Sequence, residues 1–163
     1  MLRCAVFTLI TTLVLTTAAA GSARLDAETW DWPAPEPRVL LREFVAPPHR
    51  YGAGHRGVDI ATTGEVRAPA DGVVHFAGIV VDRPVLSISH TGGYLSSFEP
   101  VTTPLHRGDV VRRGEVVGQV DPASTRAHCR SPCVHFGVRI NGEYLSPLML
   151  VGTVPRSVLL RMR

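Results

Sequence analysis

The chain has 163 residues, with 17 basic against 14 acidic side chains and a formal net charge of +3. This balance is mild, and no basic cluster is interleaved with aromatic residues, so nucleic acid is not an expected partner. All the basic side chains other than histidine are arginines. The lack of lysine excludes a carrier domain of the lipoyl or biotinyl kind, which needs an exposed lysine on a hairpin.

The first 20 residues have the pattern of an export signal. Arg3 gives a short positive start, residues 4–17 are mostly apolar and uncharged, and residues 18–20 are three alanines that offer a cleavage site; residues 21–23 offer a later one. The apolar run is short for a membrane span. We therefore expect a secreted protein, extracellular or associated with the cell wall, and a membrane link only if the signal stays uncleaved.

The remaining chain divides into an extended lead-in, one domain and a short tail. Residues 24–48 form the lead-in, because the proline-rich run from Trp30 to Pro37 cannot make a regular helix. Residues 49–150 form the domain, and residues 151–163 form a tail with no predicted role.

Strand signals dominate the domain, and little helix is expected. Short Val- and Ile-rich runs separated by Gly, Pro and Asp are typical of an all-β sandwich or barrel. The Asn141-Gly142 pair predicts a hairpin turn, and residues 146–150 fit one short helical turn. One predicted strand, residues 39–45, lies in the lead-in. Those in the domain cover residues 66–69, 72–80, 85–90, 94–101, 110–111, 116–117, 133–140 and 144–145.

Two distant stretches carry the residue types of a metal site. Residues 52–61 place His55 and Asp59 four positions apart among glycines, and the predicted strand 133–140 carries His135. Strand alternation puts the side chains of Cys133, His135, Gly137 and Arg139 on one face, toward a cleft, and the intervening apolar residues in the core. Two imidazoles and a carboxylate are the ligands of a catalytic zinc site, which keeps a fourth position open. A His-x-x-x-Asp spacing alone also fits a solvated surface pair.

Two cysteines, Cys129 and Cys133, flank a three-residue loop. Export places them in an oxidising compartment, so a disulfide is expected. The alternative is a thiolate metal ligand from Cys133 beside His135.

Four pieces of the chain, at residues 54–61, 67–78, 108–118 and 134–139, resemble in that order the lysostaphin/LytM-type zinc metallopeptidases, peptidase family M23. The resemblance covers roughly residues 47–150. It implies a single antiparallel β-sheet core, the duplicated hybrid motif related to barrel-sandwich domains, and bacterial peptidoglycan as the substrate. It also implies that a Zn²⁺ cofactor is held by His55, Asp59 and His135.

The chain departs from the family at both expected catalytic histidines. The family's His-x-His motif begins here with Cys133, and Pro100 stands where a histidine usually follows a tyrosine-rich strand. Glu99 and His128 are the candidates to replace them as catalytic groups. Strand alternation predicts that Glu99 faces away from Pro100 unless a bulge intervenes. The alternatives are a structural carboxylate for Glu99 and an exposed loop position for His128.

Two functions follow from this pattern. The first is a secreted zinc metalloendopeptidase-like protein that acts on peptidoglycan peptides. The second is a non-catalytic module on the same fold that binds the cell wall or regulates a hydrolase. Arg56 and Arg139 flank the ligands and are candidates to bind a substrate carboxylate in a fork geometry; ordinary solvated arginines are the alternative.

Overall fold

The computed structural model describes residues 29–121, 129 and 132–152. The predicted export signal, His128 and most of the tail lie outside the described residues. Within the described part of the chain, no helix is long and apolar enough to cross a membrane.

The described residues form short strands and two 3-10 turns, as the all-β prediction requires. The turns are Thr91–Gly93 and Pro147–Met149. The strands are β1 Leu40–Arg42, β2 Gly57–Ala61, β3 Glu65–Arg67, β4 Gly72–Val80, β5 Arg83–Ser89, β6 Tyr94–Glu99, β7 Val101–Thr102, β8 Val110–Val111, β9 Val116–Val120, β10 Cys133–Ile140 and β11 Glu143–Leu145.

The strands pair antiparallel in two sheets. The larger sheet runs β1-β2-β10-β6-β5-β4-β8, and the smaller one runs β3-β9-β7. Strand β11 pairs with the end of β10 through the hairpin at Asn141 and Gly142, whose φ angles of 50° and 88° confirm the predicted turn. Strand β10 therefore lies inside the sheet, between β6 on one side and β2 followed by β11 on the other.

The alternation predicted for β10 is confirmed. Val134, Phe136 and Val138 are fully buried, whereas Ile140 at the end of the strand is half-buried. Phe136 pairs in register with Phe98 of β6, and their rings stack with centroids 5.3 Å apart. This apolar layer supports β10 from one face and leaves its other face for the site.

The lead-in is part of the domain's structure. Strand β1 pairs with β2, and Val45 exchanges two backbone hydrogen bonds with His55, at 2.9 and 2.8 Å. The predicted first strand, residues 39–45, is thus reduced to three residues and one isolated bridge. Trp30 is buried, with its backbone N–H donating to the Leu150 carbonyl at 2.9 Å. The lead-in therefore packs on the core and reaches the residues around His55.

Candidate metal centre

Strand pairing brings His55, Asp59 and His135 together. Asp59 lies in β2 and His135 lies in β10, and the two are direct partners across the antiparallel ladder. Directly opposed residues point to the same face of a sheet. His55 lies two residues before β2 and joins them from the end of the strand.

Three ligand atoms form a compact triangle. His55 Nε2 lies 3.0 Å from Asp59 Oδ1 and 3.1 Å from His135 Nδ1, and His135 Nδ1 lies 2.8 Å from Asp59 Oδ1. Zinc bonds of about 2.0–2.2 Å in tetrahedral geometry separate the ligand atoms by about 3.3–3.6 Å. The triangle is about 0.2–0.8 Å tighter than that spacing, so the three side chains must open slightly to admit the ion.

A hydrogen bond at Nδ1 of His55 determines where the Nε2 lone pair of the same ring points. Its Nδ1–H donates to the backbone carbonyl of Glu43 at 2.7 Å. A proton on Nδ1 leaves a lone pair on Nε2, aimed at Asp59 and His135. A ring N–H bonded to a carbonyl on the side away from the metal is the usual support of a histidine ligand. The lead-in thus sets the tautomer of His55 through Glu43 and its backbone position through Val45.

The three side chains of the candidate metal centre are almost completely buried. Side-chain exposure is 2% for Asp59, 6% for His55 and 12% for His135. A buried carboxylate beside two imidazole nitrogens is well placed to share a positive charge with them. A shared divalent cation supplies that charge, so the residues fit zinc. His135 is the most exposed of the three side chains.

Glycine is required next to the ligands. Gly57 and Gly137 are partners across β2 and β10. A Cβ at Gly57 would lie 2.3 Å from the Phe136 carbonyl oxygen and 2.6 Å from His135 Nε2. The His135 ring therefore occupies the space that any other side chain at position 57 would take.

The predicted disulfide between Cys129 and Cys133 is present, with Cα atoms 6.3 Å apart. Cys133 is buried and lies on the His135 face of β10, two residues before the ligand. Because its sulfur is bonded to Cys129, it is not a thiolate ligand. The disulfide therefore stands where the resemblance led us to expect a catalytic histidine.

Glu99 faces the metal centre. It is the partner of His135 on the β6 side of β10, whereas Asp59 is its partner on the β2 side. Pro100, which follows it, is buried. No hydrogen bond or ion pair links the Glu99 carboxylate to the described part of the chain, so the alternative of a structural carboxylate gains no support there. Of the two catalytic candidates, Glu99 adjoins the ligands, and His128 lies outside the described residues.

Arg56 and Arg139 meet at Tyr144, which the sequence did not single out. The Cζ atom of each arginine lies 5.5 Å from the centroid of the Tyr144 ring. Arg56 also donates to the carbonyls of Arg50 and Gly52, at 3.1 and 3.0 Å. The predicted hairpin turn was the signal for Tyr144, because it folds β11 back beside Arg139. The Glu43 carbonyl had no such signal, since a backbone acceptor carries no residue identity.

Comparison with known proteins identifies related sequences. The family described as Peptidase family M23 matches residues 53–147. An uncharacterized Mycobacterium tuberculosis protein, Rv2891, is 34% identical over 143 residues, which cover 83% of this chain and 57% of that protein. The chain thus spans little more than half the length of the curated relatives it matches.

Solved structures share the fold at low sequence identity. A zinc containing peptidase from Vibrio cholerae has a TM-score of 0.61 at 18% identity, over 74% of this chain and 39% of that one. The SpoIIQ-SpoIIIAH pore forming complex contains a chain with a TM-score of 0.60 at 19% identity, over 76% of this chain and 91% of that one. The fold is therefore found both in a zinc peptidase and in a protein assembly.

Proposed function

The chain belongs to peptidase family M23, and from this premise we propose that it is a secreted zinc metalloendopeptidase that cleaves peptide bonds of bacterial peptidoglycan. One observation carries the proposal: the ligand atoms of His55, Asp59 and His135 lie within 3.1 Å of one another in a buried site. The fold shared with a zinc containing peptidase agrees with it. Secretion is supported by the signal pattern at residues 1–20 and by the disulfide.

Each residue has a defined role in this proposal. His55, Asp59 and His135 would hold the zinc, which when bound would polarise the scissile carbonyl and activate water as the nucleophile. Glu43 and Val45 hold His55 in place through backbone hydrogen bonds. Water or a substrate would reach the metal from the side where His135 is partly exposed.

Glu99 handles the protons in place of the missing histidines. Paired residues on adjacent strands have Cβ atoms about 4.5–5.5 Å apart, so the Glu99 carboxylate reaches the space beside His135. There it accepts the proton of the attacking water and returns it to the leaving amine. Such general acid–base help is worth about 10²–10⁴-fold in rate.

Digestion of purified peptidoglycan tests both the zinc-dependent cleavage and the role of Glu99. Wild-type protein should release peptide fragments, lose that activity with a chelator and regain it when zinc is restored. Glu99→Gln should lower the rate about 10²–10⁴-fold while zinc binding stays at the wild-type level. Glu65→Gln, an exposed substitution on the smaller sheet, is the control and should behave as wild type.

The second candidate function is a non-catalytic cell-wall-binding or hydrolase-regulating module. It is favoured by the replacement of both catalytic histidines, one by the disulfide-bonded Cys133 and the other by the buried Pro100. The related fold in the SpoIIQ-SpoIIIAH complex agrees with a role in assembly. Peptidoglycan binding without fragment release, with or without zinc, would establish this function in place of the first.

A further inference from the structure

The described residues enclose a groove of about 660 Å³ whose lining includes Arg56 and Arg139. Its walls are residues 46–51, where the lead-in joins the domain, Arg56, and the hairpin that carries Arg139 and Tyr144. Arg56 directly follows the ligand His55. Arg139 lies on the same face of β10 as His135, four residues farther along, which at about 3.3 Å per residue is roughly 13 Å. A peptide lying across the metal centre can thus extend into this groove.

The groove is strongly basic. Arg50, Arg56 and Arg139 line it together with His49, and Glu143 is the one acidic side chain among the described residues of the lining. Within the described residues, the Arg139 guanidinium makes no hydrogen bond or ion pair. Its N–H groups are therefore available to an anion that enters the groove.

Tyr144 orders Arg56 and Arg139. Arg139 and Tyr144 are partners across the β10–β11 pair, and the Cζ atom of each arginine is 5.5 Å from the ring centroid. Arg56 is further restrained by the Arg50 and Gly52 carbonyls. A guanidinium that rests on an aromatic ring keeps the donor edge that matches a carboxylate with two parallel hydrogen bonds. Stacking on the ring also reduces the entropy lost when the anion binds.

We propose that Arg139, supported by Tyr144 and Arg56, is a carboxylate-binding subsite that selects peptides with a free carboxylate a few residues from the cleaved bond. This inference rests on the proposed peptidase function and names the substrate class of the same cleft. An extended peptide spans about 3.3–3.6 Å per residue, so the carboxylate lies about two to four residues from the bond, allowing for the reach of the arginine. Stem peptides of peptidoglycan carry carboxylates and belong to this class.

Peptide binding measured at equilibrium tests the subsite independently of catalysis. The probes are a peptidoglycan stem tetrapeptide with its carboxylates free and the same peptide with every carboxylate converted to carboxamide, each titrated into the metal-free full chain. Wild type should bind the acid form at least about tenfold more tightly, since one charge-assisted pair is worth about 1.5–3 kcal/mol. Arg139→Gln should abolish the preference, and Arg139→Lys should keep only part of it, because lysine lacks the planar fork.

The control is Arg107→Gln, which removes the same charge from an exposed position outside the groove and should leave the preference intact. Should Arg139→Gln lower the Tm, Tyr144→Leu gives a second reading and should reduce the preference. Equal binding of both probes by wild type, or equal losses in the Arg139→Gln and Arg107→Gln variants, would overturn the inference. If the protein prefers the acid peptide but does not digest peptidoglycan, the subsite is supported and the peptidase function is contradicted. If it digests peptidoglycan but shows no such preference, the peptidase function is supported and the subsite is contradicted.

Discussion

Gly57→Ala adds a single methyl group and should perturb the metal centre through the strands that carry its residues. The added Cβ would lie 2.3 Å from the Phe136 carbonyl oxygen and 2.6 Å from His135 Nε2, well inside the 3.0 Å below which Cβ atoms are essentially never found. The carbonyl belongs to the middle of β10, so it cannot rotate away as a side-chain tip does. Relief requires β2 and β10 to separate, and these strands carry Asp59 and His135.

Gly57→Ala should have two measurable effects, one on the free energy of unfolding and one on metal affinity. Overpacking in a buried site costs typically about 1–3 kcal/mol of the free energy of unfolding, and backbone contact places this case at the upper end. Displacement of the His135 ring also disturbs the ligand triangle, and disturbed ligand support typically lowers metal affinity about 10–100-fold. The affinity loss should persist in the fraction of the protein that remains folded.

Urea unfolding and a zinc titration against a competing chelator measure the two effects. The matched control is Gly64→Ala, where an added Cβ meets nothing within 4 Å. That variant should match wild-type zinc affinity and be neutral or stabilised by up to about 1 kcal/mol. Wild-type stability and zinc affinity in Gly57→Ala would refute the packing of His135 against this glycine.

Two further predictions concern stability. Phe136→Ala removes the ring stacked on Phe98 and should cost about 3–5 kcal/mol of the free energy of unfolding in urea; a cost below about 1 kcal/mol would contradict the described core. The hydrogen bond from Arg113 to Asp31, at 2.5 Å, and the charge of Arg113 hold the pKa of Asp31 below its usual 3.8. This carboxylate therefore stabilises the fold above about pH 4 and loses that contribution as the pH falls through its lowered pKa. Asp31→Asn should accordingly cost up to about 1 kcal/mol at pH 7, because the pair is half-exposed, and the difference from wild type should shrink at pH 2–3; a difference independent of pH would contradict the pairing.

The sequence predicted strands best in its long runs rich in Val, Ile and Phe. Residues 72–80 and 133–140 coincide with β4 and β10. Strand β2 was not among the predicted strands, because Gly57 and Asp59 are types depleted from strands. Both residues belong to the candidate metal centre: the glycine makes room for the His135 ring, and the aspartate is paired with His135 across the ladder.

The register between distant strands could not be read from the sequence. Alternation placed His135 on the cleft face, but nothing local shows that Asp59 and Glu99 are its neighbours on either side. Pairing of segments far apart in the chain is set by the packed core as a whole. For this reason the ligand set came from the family resemblance, while the position of Glu99 came from the structure.

The most direct test of the account is the zinc content of the purified, dialysed protein measured by elemental analysis. Wild type should carry about one zinc per chain, and His135→Ala should fall well below that while it stays folded. His106→Ala, at an exposed position outside the ligand group, should match wild type. Full zinc occupancy in His135→Ala, or a folded wild-type protein that takes up no zinc, would contradict the metal centre from which the proposed function is argued.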